Sequence, residues 1–321
     1  MRFVLSILVL GVFTVASATA GADETAPSLI ANGSVDQAIA VLHGELHNSP
    51  NDAVAHNLLC RAHFALGQWD EGISECEKAV ELSPNNSQFH LWLGRAYGEK
   101  ADKSRFLAAA ALAKKVVHQF EAAVQLSPKS IDARRDLAEF YLEAPGIVGG
   151  GRDKAEQQAD YLTSLDPAAG DWVKARIAEK QGDFAAAERE YRNAIANSGG
   201  RASAWLNLGL FYKHRKQFDE MEEALMHVRR APLDRTDALV DAAEILIHTH
   251  RNLPEAAELL RTYLASGKKV EQAPAFKAHY LLGNAAEGMG ATKEAETEYK
   301  QALSLASEFR PAQEALQRVS R

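Results

Sequence analysis

Only two of the 321 residues are cysteine, four are methionine, and aromatic residues make up 7%. Two cysteines exclude a disulfide-framework scaffold. With so few aromatic rings, any substantial core must lie mostly between small side chains. Positive charge is also in short supply. A formal charge of -7 and a pI near 5.9 leave no case for a basic face that binds nucleic acid. Apart from the N-terminus, no uncharged apolar run approaches the ~18 residues that read as a membrane span. What the chain has instead is alanine, 57 residues of it, within a composition that is 46% hydrophobic and 25% charged. Collagen-like and wholly disordered chains are excluded by that balance. Length alone suggests two domains or one large one.

The N-terminus reads as a secretory leader. Arg2 supplies a positive start, Phe3 to Val15 is mostly apolar, and Ala18-Thr19-Ala20 ends the run in small residues. Cleavage after Ala20 is expected, with no membrane insertion afterwards; an uncleaved N-terminal anchor is the alternative.

The remainder repeats. Pro50, Pro84, Pro128 and Pro167 end similar blocks, and a second mark recurs as Gly33-Ser-Val35-Asp-Gln-Ala38, Gly182-Asp-Phe184-Ala-Ala-Ala187 and Gly290-Ala-Thr292-Lys-Glu-Ala295. Between marks the apolar spacing is helical. Trp205, Leu208, Gly209 and Tyr212 share one face, and Phe218, Met221, Leu225 and Val228 share another after a break. Each block therefore predicts two helices joined by a tight turn. No such block buries its apolar face alone, so consecutive blocks must stack.

Trp205, Leu208, Gly209, Tyr212 and Phe218 resemble the signature of the tetratricopeptide repeat family, as do Leu282, Gly283, Ala295, Tyr299 and Ala302. The resemblance implies an all-α fold, a right-handed superhelical solenoid of helix-turn-helix repeats. Its expected layout is a signal peptide at 1–20, an N-terminal extension and partial repeat at 21–52, seven repeats over 53–309, and a solvent-facing capping helix at 310–321. The stack is expected to be elongated. Pro145–Gly151 also resembles an insert of secreted or envelope-associated bacterial members, which supports an exported bacterial protein, periplasmic or secreted.

Three stretches are irregular: 101–115, 143–151 and 266–274. The first predicts a lengthened, projecting second helix. The second, rich in glycine, lacks the Lys-Ser/Thr of a phosphate loop and predicts an ordered turn with Ile147 and Val148 tucked against the helices. The third is a charged loop.

No catalytic motif is present. The eleven histidines form no His-Glu-x-x-His, and neither cysteine belongs to a zinc-spaced or Cys-x-x-Cys set. No metal or cofactor is expected, and no enzyme activity. Cys60 and Cys76 fall in the two helices of one block, where they form either a disulfide or two buried thiols.

The resemblance implies a concave groove lined by first helices. Carried over by position, its residues are Asn57, Arg61, Phe64, Leu91, Trp92, Arg95, Arg135, Glu139, Trp172 and Arg176. Leu206, Asn207, Leu210, His214, Asp241, Ile245, His248, Tyr280 and Asn284 complete it. Aromatic anchors with interspersed Arg suit a peptide or protein partner, Arg meeting its carboxylates or backbone carbonyls. The expected function is a non-catalytic protein-interaction scaffold outside the cytoplasm, in an envelope or secretion complex. A glycan- or cell-wall-binding module, or an enzyme without a recognisable motif, stands as the alternative.

Overall fold

The structure, a computed structural model, describes residues 25–320. They form seventeen α-helices and one 3-10 turn, with no strand among the described residues. The leader reading at 1–20 lies outside them. A short hairpin, α1 (Ala26–Asn32) and α2 (Val35–Asn48), comes first. Then follow α3 (Ala53–Leu66) with α4 (Trp69–Leu82), α5 (Ser87–Asp102) with α6 (Phe106–Leu126), and α7 (Ile131–Glu143) with α8 (Arg152–Leu165). Next are α9 (Pro167–Gln181) with α10 (Phe184–Asn197), α11 (Ala202–His214) with α12 (Phe218–Val228), and α13 (Ala238–His248) with α14 (Leu253–Ala265). The last pair is α15 (Ala275–Gly288) with α16 (Thr292–Leu305), and α17 (Arg310–Val319) ends the chain.

Local chemistry starts and seats these helices. Asp52, Asn86, Ser130, Asp166 and Asp183 each accept a hydrogen bond from a backbone N–H in the first turn of α3, α5, α7, α9 and α10. Within pairs, small residues let the helices approach. A Cβ at Gly94, Gly209 or Gly283 would come within 3.0 Å of Phe120, Leu225 or Tyr299 of the second helix. Cys60 of α3 and Cys76 of α4 are joined as a disulfide across their pair, Cα atoms 5.2 Å apart.

The long block has its surplus in α6, which runs 21 residues. The glycine-rich insert is a turn: Gly146–Val148 is the 3-10 segment, and the N–H of Gly151 donates to the carbonyl of Tyr141 at 2.9 Å. Val148 is buried, but Ile147 is 86% exposed, so only one of the two residues expected to tuck in does so. A one-turn 3-10 segment can aim just one of two successive side chains inward.

The ends of the solenoid meet, which the expectation of an elongated stack did not anticipate. Leu29, Ile30, Val35, Leu42, Leu58 and Leu59 from α1–α3 share one apolar cluster with Phe276, Ala302, Ala306, Phe309 and Ala312. Phe276 and Phe309 pack edge to face at 4.9 Å. Full burial of a side chain such as Phe276 stabilises by about 1.5–3 kcal/mol. Polar contacts rim the seam: Ser307 N–H donates to Asp36 Oδ2 at 2.9 Å, and Gln68 Nε2 donates to Glu308 Oε2 at 2.6 Å. Helix α17 contributes Ala312 to this cluster, while its Ala315 packs against Ala286, Ala295 and Tyr299 of α15 and α16.

Candidate binding cavity

The concave face of the closed stack holds a cavity that stays partly open to solvent. Its walls are the first helices α5, α7 and α9, and two loops reach in from the opposite side. A cavity of about 740 Å³ is lined by Arg95, Asp132, Arg135, Asp136, Glu139 and Trp172 on the helical side. Leu233, Asp234, Arg235, Thr236 and Asp237 come from the loop after α12, and Lys268, Val270 and Gln272 from the loop after α14. A second space of about 430 Å³ shares Arg135, Trp172, Asp234 and Arg235 and adds Lys129, Arg201 and Asn207.

Most of the charge here is internally satisfied. Arg95 Nε donates to Asp136 at 2.7 Å, and burial still pushes the Asp136 carboxyl up against the pull of Arg95. Arg176 bridges Glu139 of α7 and Glu179 of its own helix at 2.5 and 2.7 Å. Burial works against its charge, but those two carboxylates hold its pKa above the ordinary guanidinium range. Arg235 pairs with Asp237 and lies 3.7 Å from Asp241. Burial, with the neighbouring Asp237 charge, raises Asp241 to about 6. Arg61 reaches across the seam to Glu271.

Arg135 is different. Its guanidinium lies 4.2 Å from the centre of the Trp172 ring, and its Nε is buried with no hydrogen-bond partner. Burial and the facing Arg235 both lower its pKa. Among the described residues no carboxylate lies within ion-pair distance of it. A buried donor left unpaired costs about 1–3 kcal/mol, and an acidic group entering the cavity would remove that cost.

Of the groove residues carried over by position, the structure brings Arg95, Arg135, Glu139 and Trp172 together in the main cavity and Asn207 in the adjoining one. Five do not face open space and are corrected: Asn57, Leu91, Trp92, Leu206 and Ile245 are buried between helices. Phe64 packs edge-on against Trp69 and Trp92, and Leu210 and Tyr280 pack against apolar clusters. Arg61 and Arg95 both stack over Trp92. Of the remainder, His214 bonds Glu179, Asn284 accepts from Tyr299, and His248 is exposed. The arginines expected to meet partner carboxylates thus mostly hold carboxylates of this chain. Of the two groove tryptophans, Trp92 is buried, and Trp172 lines both cavities with Arg135 stacked on one side of its ring.

Sequence reasoning missed Leu233–Asp237 and Lys268–Gln272, because loops enter a groove only once the superhelix has brought them across it. No group of three or more His, Cys, Asp or Glu side chains able to hold a metal occurs among the described residues. Nor is any helix among them long and apolar enough to cross a membrane.

Comparison with known proteins now places the fold. Tetratricopeptide repeat family models match residues 29–91, 173–234 and 276–309. The molecule is an all-α solenoid of tetratricopeptide-like helix-turn-helix repeats. It is 25% identical over 206 residues to intraflagellar transport protein 70A of Bos taurus, covering 62% of this chain and 29% of that protein. Intraflagellar transport protein 70B of Homo sapiens is 24% identical over the same length and share. The chain thus spans less than a third of the curated relatives it matches. The crystal structure of yeast Tom70 superposes with a TM-score of 0.53 at 15% identity, over 89% of this chain and 58% of that one.

These relatives correct part of the sequence reading. They are intraflagellar transport proteins of cattle and human, not exported bacterial proteins. The exported bacterial identity, the signal, the periplasmic or secreted location and the role outside the cytoplasm in an envelope or secretion complex are withdrawn. The Pro145–Gly151 insert that favoured export is accounted for as a helix-joining turn.

Proposed function

We propose that the chain is a non-catalytic protein-interaction scaffold whose concave cavity takes a peptide segment of a protein partner. The observation that carries this reading is Arg135, stacked on Trp172 with a buried, unpartnered Nε at a 740 Å³ opening. The preferred segment carries an Asp or Glu side chain that meets Arg135, with Asn207 in reach of its backbone. Arg95, Glu139 and Arg235 act as walls, their charges already matched.

A synthetic peptide library displayed in acidic and amide forms tests this directly. Acidic peptides should bind the intact chain and lose at least about tenfold in affinity, about 1.4 kcal/mol, on Arg135→Gln. Equal binding of acidic and amide forms, or no effect of Arg135→Gln, would contradict it.

A further inference from the structure

The three most exposed large apolar side chains of the described residues lie together on the outside of the solenoid. Phe106 is 90% exposed, Ile147 86% and Leu107 80%. Phe106 and Ile147 are on the rim of a slot of about 420 Å³ between the end of α5, the start of α6 and the insert after α7. Its floor is small and apolar: Ala109, Ala110, Ala113 and Val116. The first eight residues of α6, Phe106–Ala113, carry no charge, although Phe106, Leu107 and Ala108 are exposed. Among the described residues, nothing covers this uncharged helix end that presents Phe and Leu to water.

We propose that a second copy of this chain covers the patch. The two copies meet about a two-fold axis, with Phe106 of each entering the alanine-floored slot of the other. The patch is complementary to itself in shape, because it holds both the projecting ring and the recess for it. It is also complementary to itself in charge. Asp102 lines the slot, while Lys103 and Arg105 stand on the adjoining turn, all three exposed. A two-fold contact sets the cations of one copy beside the carboxylate of the other, the isologous arrangement that symmetric dimers use. The alanine run Ala108–Ala111 allows the two α6 helices to approach closely.

The size of the contact sets its strength. A buried Phe contributes on the order of 150–250 Å² per copy. With Leu107, Ile147 and the slot walls, the total reaches about 1,000–1,200 Å², the low end of specific interfaces. An interface of that size fits a dimer in exchange with its monomers. A basic helix from another protein and an anionic lipid surface are both less suited. The rim carries both signs of charge, and a recess receives a side chain better than it receives a bilayer.

Sedimentation of the full chain between about 1 and about 100 µM tests the proposal. A reversible monomer–dimer equilibrium is expected, and Phe106→Asp should raise its dissociation constant at least about tenfold. Ala110→Leu, which fills the slot from its floor, should weaken it as well. Phe106 is exposed, so the circular dichroism and melting of Phe106→Asp should match those of the parent chain. A monomer throughout that range, or a dimer as tight in Phe106→Asp as in the parent, would overturn the proposal. So would a monomer that floats with anionic vesicles through Phe106.

Discussion

The interface between successive helices and the seam between the two ends of the chain are built from the same materials but held differently. Inside a pair, Gly283 of α15 abuts the fully buried Tyr299 of α16, a side chain that can shift. At the seam, Gly33 sits with φ of 81° against backbone, and a Cβ there would come within 2.5 Å of the Ala275 amide nitrogen. Neighbouring repeats are joined by many contacts close in sequence, and a local fault stays local in such one-dimensional stacks. The seam joins residues more than 200 positions apart, so it couples the two ends into a single closed unit.

The same substitution in both places should break them unequally. Gly33→Ala meets unyielding backbone and an unfavourable left-handed conformation, and should cost about 3–4 kcal/mol. In denaturant titration with hydrogen exchange, α1–α2 and α15–α17 should lose protection together. Gly283→Ala forces the Tyr299 ring aside and should cost about 1–3 kcal/mol, with lost protection confined to α15 and α16. Equal costs, or a loss at one end alone in Gly33→Ala, would remove the distinction.

A pH-dependent effect separates the cavity from both interfaces. Asp241 has a pKa of about 6, against an ordinary value of 3.8, because burial and Asp237 oppose its charge. The folded chain therefore holds this proton more tightly than the unfolded chain does. That favourable contribution is complete below pH 3.8 and is lost as pH rises through 6. Asp241→Asn, which cannot ionise, should melt higher than the parent at pH 8, with the gain vanishing below pH 3.8. A gain that persists at low pH would contradict the assignment.

The smallest effect lies in a turn. Lys216 adopts φ of 58° between α11 and α12, where the corresponding turns at 67, 182 and 290 use glycine. Lys216→Gly should stabilise by about 0.5–1 kcal/mol, read from the urea midpoint at unchanged slope.

These contrasts explain what the sequence could show. The helix pairs were legible because Trp205, Leu208, Gly209 and Tyr212 record a local periodicity, and Gly209 next to Leu225 needs only its own hairpin. The seam was not legible. Phe276 and Phe309 read as ordinary core positions, and only the accumulated rotation of successive repeats brings them to Leu29 and Ile30. The cavity was half legible. Counting along first helices found Arg95, Arg135, Glu139 and Trp172, but the same count placed Leu91, Leu206 and Ile245 in the groove although they face the next repeat. Arg235 and Lys268 escaped because a loop carries no periodicity from which its direction can be read.

Closure of the ends makes a cavity of the groove and places Arg135 within it. Gln68 and Glu308 offer the most direct measurement, because their side chains meet at 2.6 Å across the seam. In Gln68→Lys the new amine should be joined to the Glu308 carboxylate by a zero-length carbodiimide cross-link, identified by peptide mass spectrometry. A closed ring gives a 68–308 link within one molecule, with a yield that does not change on dilution. Absence of that link, or a link formed only between molecules, would show an open solenoid.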